Sequence, residues 1–157
     1  MADIFANKIV WITGASSGIG AECAKQCNER GATVILSARN EDKLRTVQES
    51  LEHSENALVL PLDLEKSEGF PSLVQQVMDQ FGQIDYLINN GGLSQRGEAA
   101  ETSIEVDRRI MEINYFGTVA LTKAVLPIMR KQKSGHIIAI SSIAGKFGFF
   151  LRSAYAA

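Results

Sequence analysis

Thr13-Gly14-Ala15-Ser16-Ser17-Gly18-Ile19-Gly20 packs three glycines and three hydroxyls into eight residues, directly after an apolar run and before a stretch of helical composition. A segment of this kind suits a negative charge. Glycine allows the backbone angles of a tight turn and lets an anion approach the main chain with no Cβ in the way. Unpaired N–H groups at a helix start, with the helix dipole behind them, complete an anion site. A further glycine lets the helix pack closely on the strand. The chemistry this points to is a dinucleotide pyrophosphate held by Gly14, Ser16, Ser17, Gly18, Ile19 and Gly20. The bland alternative is a strand-to-helix turn with no ligand, for which three glycines are costly.

Two other motifs overlap the same residues. Gly14-Ala15-Ser16-Ser17-Gly18 fits G-x-S-x-G, the nucleophile elbow of a serine hydrolase. That chemistry needs an acid and then a histidine late in the chain, and His53 and His136 do not sit as that order requires. A P-loop needs Gly-Lys-Ser/Thr after the glycines, which is absent.

The second apolar run ends in Leu36-Ser37-Ala38-Arg39-Asn40. A fold that binds NAD usually offers an acidic side chain here to the ribose 2′-hydroxyl. None stands at residues 36–40, whereas Arg39 does. A guanidinium can grip a 2′-phosphate through charge-assisted, often bidentate hydrogen bonds, so NADP(H) is expected over NAD(H). Arg39 also reads as a solvated surface arginine. Asp63, in Pro61-Leu62-Asp63-Leu64, stands where it could accept from an adenine amine, and reads equally as a helix N-cap.

These residues must be positioned by regular elements. Five short runs, Ile9–Thr13, Thr33–Leu36, Ala57–Leu60, Tyr86–Ile88 and His136–Ile140, are nearly continuous in apolar residues. Parallel strands covered on both faces read in this way. Between them, residues 18–30 place Ile19, Cys23 and Cys27 at spacings of four. Residues 41–53 carry Leu44, Val47 and Leu51, residues 67–81 carry Phe70, Leu73, Val77 and Phe81, and both sets follow helical spacing. A longer stretch, about 103–130, holds Ile104, Ile110, Ile113 and Val119, with Pro127 expected to bend its last turns. Strand and helix in alternation imply an α/β fold with a doubly wound parallel sheet, residues 1–157 forming one domain.

Composition bounds the rest. The 157 residues are 45% hydrophobic and 22% charged, ordinary for one globular domain and unlike a disordered chain. A net charge of −2 supplies no basic field, so nucleic acid is not expected as a partner. No apolar run approaches the ~18–20 residues of a membrane span. Met1–Lys8 lacks the basic start of a signal peptide, so a cytoplasmic location is expected. The two cysteines, Cys23 and Cys27, read as small core residues, and no metal-ligand spacing occurs. Arg130, Lys131 and Lys133 read as decoration of a helix C-terminus, where the dipole favours cations.

Thr13-Gly14-x-x-x-Gly18-x-Gly20, Asp63-Leu64, Asn89-Asn90-Gly91-Gly92, Asn114, Ser141-Ser142 and Tyr155 occur in order across some 140 residues. Together they make the chain resemble the N-terminal part of a short-chain dehydrogenase/reductase, with its Rossmann-type dinucleotide fold. The resemblance implies that Tyr155 is the acid/base exchanging a proton with the substrate oxygen. Ser142, thirteen residues earlier, would orient a carbonyl, and Asn114 would help hold a relay water. It also implies that Leu64, Asn90 and Tyr155 border the cofactor, that the substrate is a small-molecule carbonyl or alcohol, and that the enzyme is a homodimer or homotetramer. Read alone, Tyr155 is a helix-start aromatic and Ser142 a turn residue. A non-catalytic dinucleotide-binding protein of the same fold is the rival reading.

The sequence departs from the family pattern in three places. Gly91 replaces the usual alanine, so a slightly looser backbone beside the cofactor is expected. Phe147, Phe149, Phe150 and Leu151 form an apolar segment that either lines a substrate pocket or packs on a neighbour. The family's lysine would stand at position 159, beyond Ala157. A free tyrosine titrates near ~10, so acid/base work near neutrality needs such a cation. The expectation is therefore a portion of a longer enzyme, with its last strands missing, no turnover on its own, and a fifth strand left as an exposed apolar edge.

Overall fold

The computed structural model describes residues 3–156. Five strands form one parallel sheet: β1 (Ile9–Thr13), β2 (Thr33–Ser37), β3 (Ala57–Val59), β4 (Tyr86–Asn89) and β5 (His136–Ala139). Their order across the sheet is β3-β2-β1-β4-β5. The chain builds outward from β1 to β3, then crosses over and builds outward again from β4. That reversal leaves a crevice at the C-terminal ends of β1 and β4, where open α/β sheets bind ligands.

β1, β2 and β4 read as continuous apolar runs because each face of the sheet has its own cover over them. Ile9, Trp11, Ile35 and Leu87 face Phe70, Val74, Val77, Leu121 and Val125, on α3 (Phe70–Phe81) and α5 (Thr118–Gln132). Val10, Ile12, Val34, Leu36 and Ile88 face Ala24, Cys27 and Leu44, on α1 (Gly18–Glu29) and α2 (Glu41–Glu49). The Trp11 indole does not leave its N–H unpaired in this interior. It donates to Ser37 Oγ at 2.9 Å, and that hydroxyl donates to the Leu60 carbonyl at 2.7 Å.

The expected face of α1 is corrected in one respect. Gly20, Ala24, Cys27 and Asn28 are its buried residues, and Ile19 is 62% exposed. The cause is close approach: a Cβ on Gly20 would stand 2.4 Å from the Gly14 carbonyl oxygen, so only small side chains fit under this helix. Asn28 pins the loop after α2, donating to the His53 carbonyl and accepting from the His53 N–H, both at 2.9 Å.

The long stretch expected over 103–130 is three pieces. α4 (Ile104–Met111) runs into a π-helical segment, Glu112–Gly117, and then into α5. The irregular turn therefore lies at 112–117, while Pro127 sits inside α5. Gly117 explains the position. A Cβ there would meet the Leu64 carbonyl oxygen at 2.3 Å, so the segment crosses that backbone at closest approach. Ile104 is exposed, whereas Ile110 and Ile113 are buried.

β5 is the sheet's edge, and His136 through Ala139 are all exposed. A last short helix, α6 (Ser153–Ala156), packs against α4 and against the turn at Ile143–Gly145. No described helix is long and apolar enough to cross a membrane.

Candidate functional site

A cleft of about 500 Å³ opens at the β1/β4 crevice. Its floor comes from the strand ends: Thr13 and Gly14 after β1, Ser37 to Asn40 after β2, Leu62 to Leu64 after β3, and Asn90 to Leu93 after β4. Ser16, Ser17, Lys43 and Ile113 complete the wall. Four loops that are distant in sequence converge because parallel strands all deliver their C-terminal ends to one edge.

Thr13 holds the floor together. Its buried hydroxyl oxygen accepts from the Asn90 N–H at 3.0 Å and the Gly91 N–H at 2.9 Å. The Asn90 amide answers by donating to the carbonyls of Thr13 at 3.0 Å and Gly14 at 3.3 Å. Gly14 has φ +67°, a left-handed conformation that favours glycine, and a Cβ on it would strike Gly91 Cα at 2.8 Å. Gly18, at φ +56°, has nothing within 4 Å of where a Cβ would stand. Its requirement is purely conformational, and the space before the loop is open. Ser17, the residue capping α1, makes no side-chain capping bond, so the first-turn N–H groups are left for another acceptor.

The expectation of a looser backbone at Gly91 is corrected. A Cβ there would lie 2.8 Å from Leu64 Cδ1 and 3.2 Å from Thr13 Oγ1. Leu64 already fills the space that an alanine methyl would take, so the glycine is close-packed. Asp63 is not a helix N-cap: its carboxylate accepts from the Glu65 N–H at 3.1 Å and closes a local turn, and its side chain borders the cleft.

Arg39 stands on the cleft wall, half-exposed, with Glu65 at 3.9 Å. Glu65 is held more closely by Arg109, at 3.1 Å and 3.2 Å. The long contact leaves the Arg39 guanidinium free to turn toward an anion. Lys43, exposed on the same wall one turn into α2, is a second cation that sequence reading missed. Its helix is capped by Asn40, whose side-chain Oδ1 accepts from the Lys43 N–H at 2.9 Å.

The cleft thus gathers Gly14, Ser16, Ser17, Arg39, Asp63, Leu64 and Asn90 from the residues expected at a site. Gly18, Ile19 and Gly20, at the start of α1, are not part of its wall, and neither are Asn114, Ser142 and Tyr155. Asn114, within the π-helical segment, turns both ends of its amide onto Leu93: it accepts from the Leu93 N–H at 2.8 Å and donates to the Leu93 carbonyl at 2.9 Å. Ser142 ends the loop after β5, its hydroxyl accepting from the Ala144 N–H at 3.2 Å. Tyr155 lies half-buried on α6. Phe147, Phe149 and Phe150 are exposed, Phe150 to 87%, Leu151 is half-buried, and none of the four borders this cleft. The described residues contain no cluster of three or more potential metal ligands.

Comparison with known proteins agrees with this geometry. The family model described as short chain dehydrogenase matches residues 8–157. A dehydrogenase/reductase SDR family protein 7-like from Anopheles gambiae is 47% identical over 157 residues, which cover 96% of this chain and 50% of that protein. Dehydrogenase/reductase SDR family member 7B of Mus musculus is 45% identical over 156 residues, 96% of this chain and 48% of that protein. The chain spans about half the length of these curated relatives. Among solved structures, a short chain dehydrogenase of Shigella flexneri 2a str. 301, complexed with NADP, is similar with a TM-score of 0.91 and 34% identity, over 99% of this chain and 67% of that one. Motif order, strand order and these likenesses lead to one assignment: the chain belongs to the short-chain dehydrogenase/reductase family.

Proposed function

We propose that this chain carries the cofactor-binding half of an NADP(H)-dependent oxidoreductase that interconverts a small-molecule carbonyl and its alcohol. The observation that carries the reading is the cleft wall after β2, where Arg39 and Lys43 stand and no carboxylate occupies residues 36–40. Two cations suit a 2′-phosphate, and an acidic residue there would repel one. The complex of the Shigella flexneri relative with NADP supports the same choice.

The residues present fit such a group. Gly14 and Gly18 keep Cβ atoms out of the loop, the uncapped start of α1 offers N–H donors, and Asp63 and Leu64 border the far end of the cleft. Gly18, Ile19 and Gly20 take part through backbone N–H groups at the helix start. When bound, the nicotinamide supplies or accepts the hydride. The protein then has to hold the substrate oxygen and move one proton. Tyr155 exchanges that proton, and the Ser142 hydroxyl donates to the carbonyl. The Asn114 amide is committed to Leu93, so its share in a relay comes from its backbone within the π-helical segment.

Substituting Tyr155→Phe in the full-length protein tests the acid/base role. Turnover is expected to fall about a hundredfold or more while NADPH binding is kept. Turnover near that of the unaltered protein would refute the assignment.

The exposed apolar side chains of α4 and the π-helical segment, with Tyr115 and Phe116 forming an edge-to-face pair at 5.1 Å, suit a homo-oligomeric interface. Cytoplasmic location belongs to the same proposal, on composition alone.

A further inference from the structure

Arg152 lies outside every motif, three residues before Tyr155. Its Nη1 donates to the Gln95 carbonyl at 3.0 Å and to Ser94 Oγ. The backbone makes the same junction. The Gly97 N–H donates to the Leu151 carbonyl at 3.1 Å, and Gly97 and Arg152 form an isolated parallel bridge. Leu151 has φ +61°, a left-handed angle that a branched side chain keeps only where its surroundings hold it. The Arg152 carbonyl in turn accepts from the Ala156 N–H at 2.8 Å, closing the helical turn that contains Tyr155.

The loop that Arg152 grips is itself anchored to the cleft. Residues 93–97 follow Asn90 and Gly91, which hang on Thr13, and Leu93, which both ends of the Asn114 amide hold. Hydrogen bonds at Asn90, Gly91, Leu93, Ser94 and Gln95, joined by the chain itself, therefore connect the end of β1 to the turn bearing Tyr155. Arg152 is the only side chain that spans the last gap among the described residues. The two oxygens that accept from it are neutral, and it joins no described ion pair, so the link is not part of a surface charge network.

We propose that Arg152 is a positioning residue: by tying Ser94 and Gln95 to the turn of Tyr155, it holds the phenol in register with the cleft. The inference rests on the reading of Tyr155 as acid/base. Misplacing a reacting group by about 1 Å can cost on the order of a hundredfold in rate.

The test compares Arg152→Met, Arg152→Lys, Ser94→Ala, Arg152→Met with Ser94→Ala, and Tyr155→Phe in the full-length protein. Turnover kept by Tyr155→Phe would overturn the underlying reading, whatever Arg152 does. If Arg152 positions Tyr155, Arg152→Met lowers kcat about tenfold to a hundredfold and leaves NADPH affinity within about twofold. Arg152→Lys recovers part of the loss, since one donor can still reach one acceptor. The double variant is no worse than Arg152→Met, because both changes cut one link. Hydrogen exchange adds a readout apart from activity: amides of 93–97 and 151–156 exchange faster in Arg152→Met, and those of β1 do not. Unchanged kcat in Arg152→Met, additive losses in the double variant, or a loss confined to KM for anionic carbonyl substrates would each overturn the proposal. Should Arg152→Met not fold, Ser94→Ala decides alone, and unchanged kcat and exchange there would overturn it.

Discussion

Thr13 and Asn90 spend their side chains on the backbone: the threonine hydroxyl gathers two N–H groups, and the amide braces two carbonyls of the glycine loop. Their service to a ligand is to fix the floor on which it rests. Family motifs name such residues without saying what they touch, so their place in the sequence was legible and their role was not. Lys43 and Arg152 were missed for a different reason. One reaches the cleft from a helix surface and the other from a loop brought across by topology, and neither has a local spacing that marks it. Cys27 was read correctly as a core residue, and burial, with the neighbouring Cys23, pushes its thiol from the ordinary 9.0 up to about 11. The folded state thus holds this proton more tightly than the unfolded chain does. The contribution to stability is whole below pH 9.0 and is lost as pH rises toward about 11. At neutral pH the native Cys27 is expected to resist alkylation and to react after denaturation, as mass spectrometry would show. Equal labelling in both states would count against its burial.

At the level of elements, the five strands were legible because each is apolar on both faces, and their observed ends differ from expectation by a residue at most. The helices were legible only where one face is wide and apolar. Phe70 and Val77 are buried as the spacing required, but Ile19 is exposed because α1 approaches too closely for large side chains. The π-helical segment left no trace in composition, since its residues are those of any helix. Its signal was Gly117, one small residue at a backbone crossing. Gly117→Ala would press a methyl on the Leu64 carbonyl and is expected to cost about 1–3 kcal/mol. Gly69→Ala serves as the contrast: nothing lies within 4 Å of its Cβ position, and φ is −79°. Stability there should stay within about 0.5 kcal/mol. Thermal or denaturant unfolding would separate the two, and equal effects would refute the crossing as the reason for glycine.

At the scale of the molecule, sheet order turns four separate loops into one cleft, which is why the site could be expected in outline from strand and helix alternation alone. What the order also leaves is an open flank. Ile137, Ile138 and Ile140 on and after β5, and Tyr115 and Phe116 beside α4, are exposed apolar groups. Such groups call for cover. Light scattering on the full-length protein is expected to give a homodimer or homotetramer, with Phe116→Glu shifting it toward smaller species. A monomer in the unaltered protein would remove the proposed interface.

The central claim is that the crevice between β1 and β4 holds a dinucleotide and selects it by its 2′-phosphate. Calorimetric titration of the full-length protein with NADPH and with NADH tests this without knowledge of the substrate. Arg39 and Lys43 predict tighter binding of NADPH by about tenfold or more, equivalent to about 1.4 kcal/mol. Equal affinity, or tighter binding of NADH, would contradict the account.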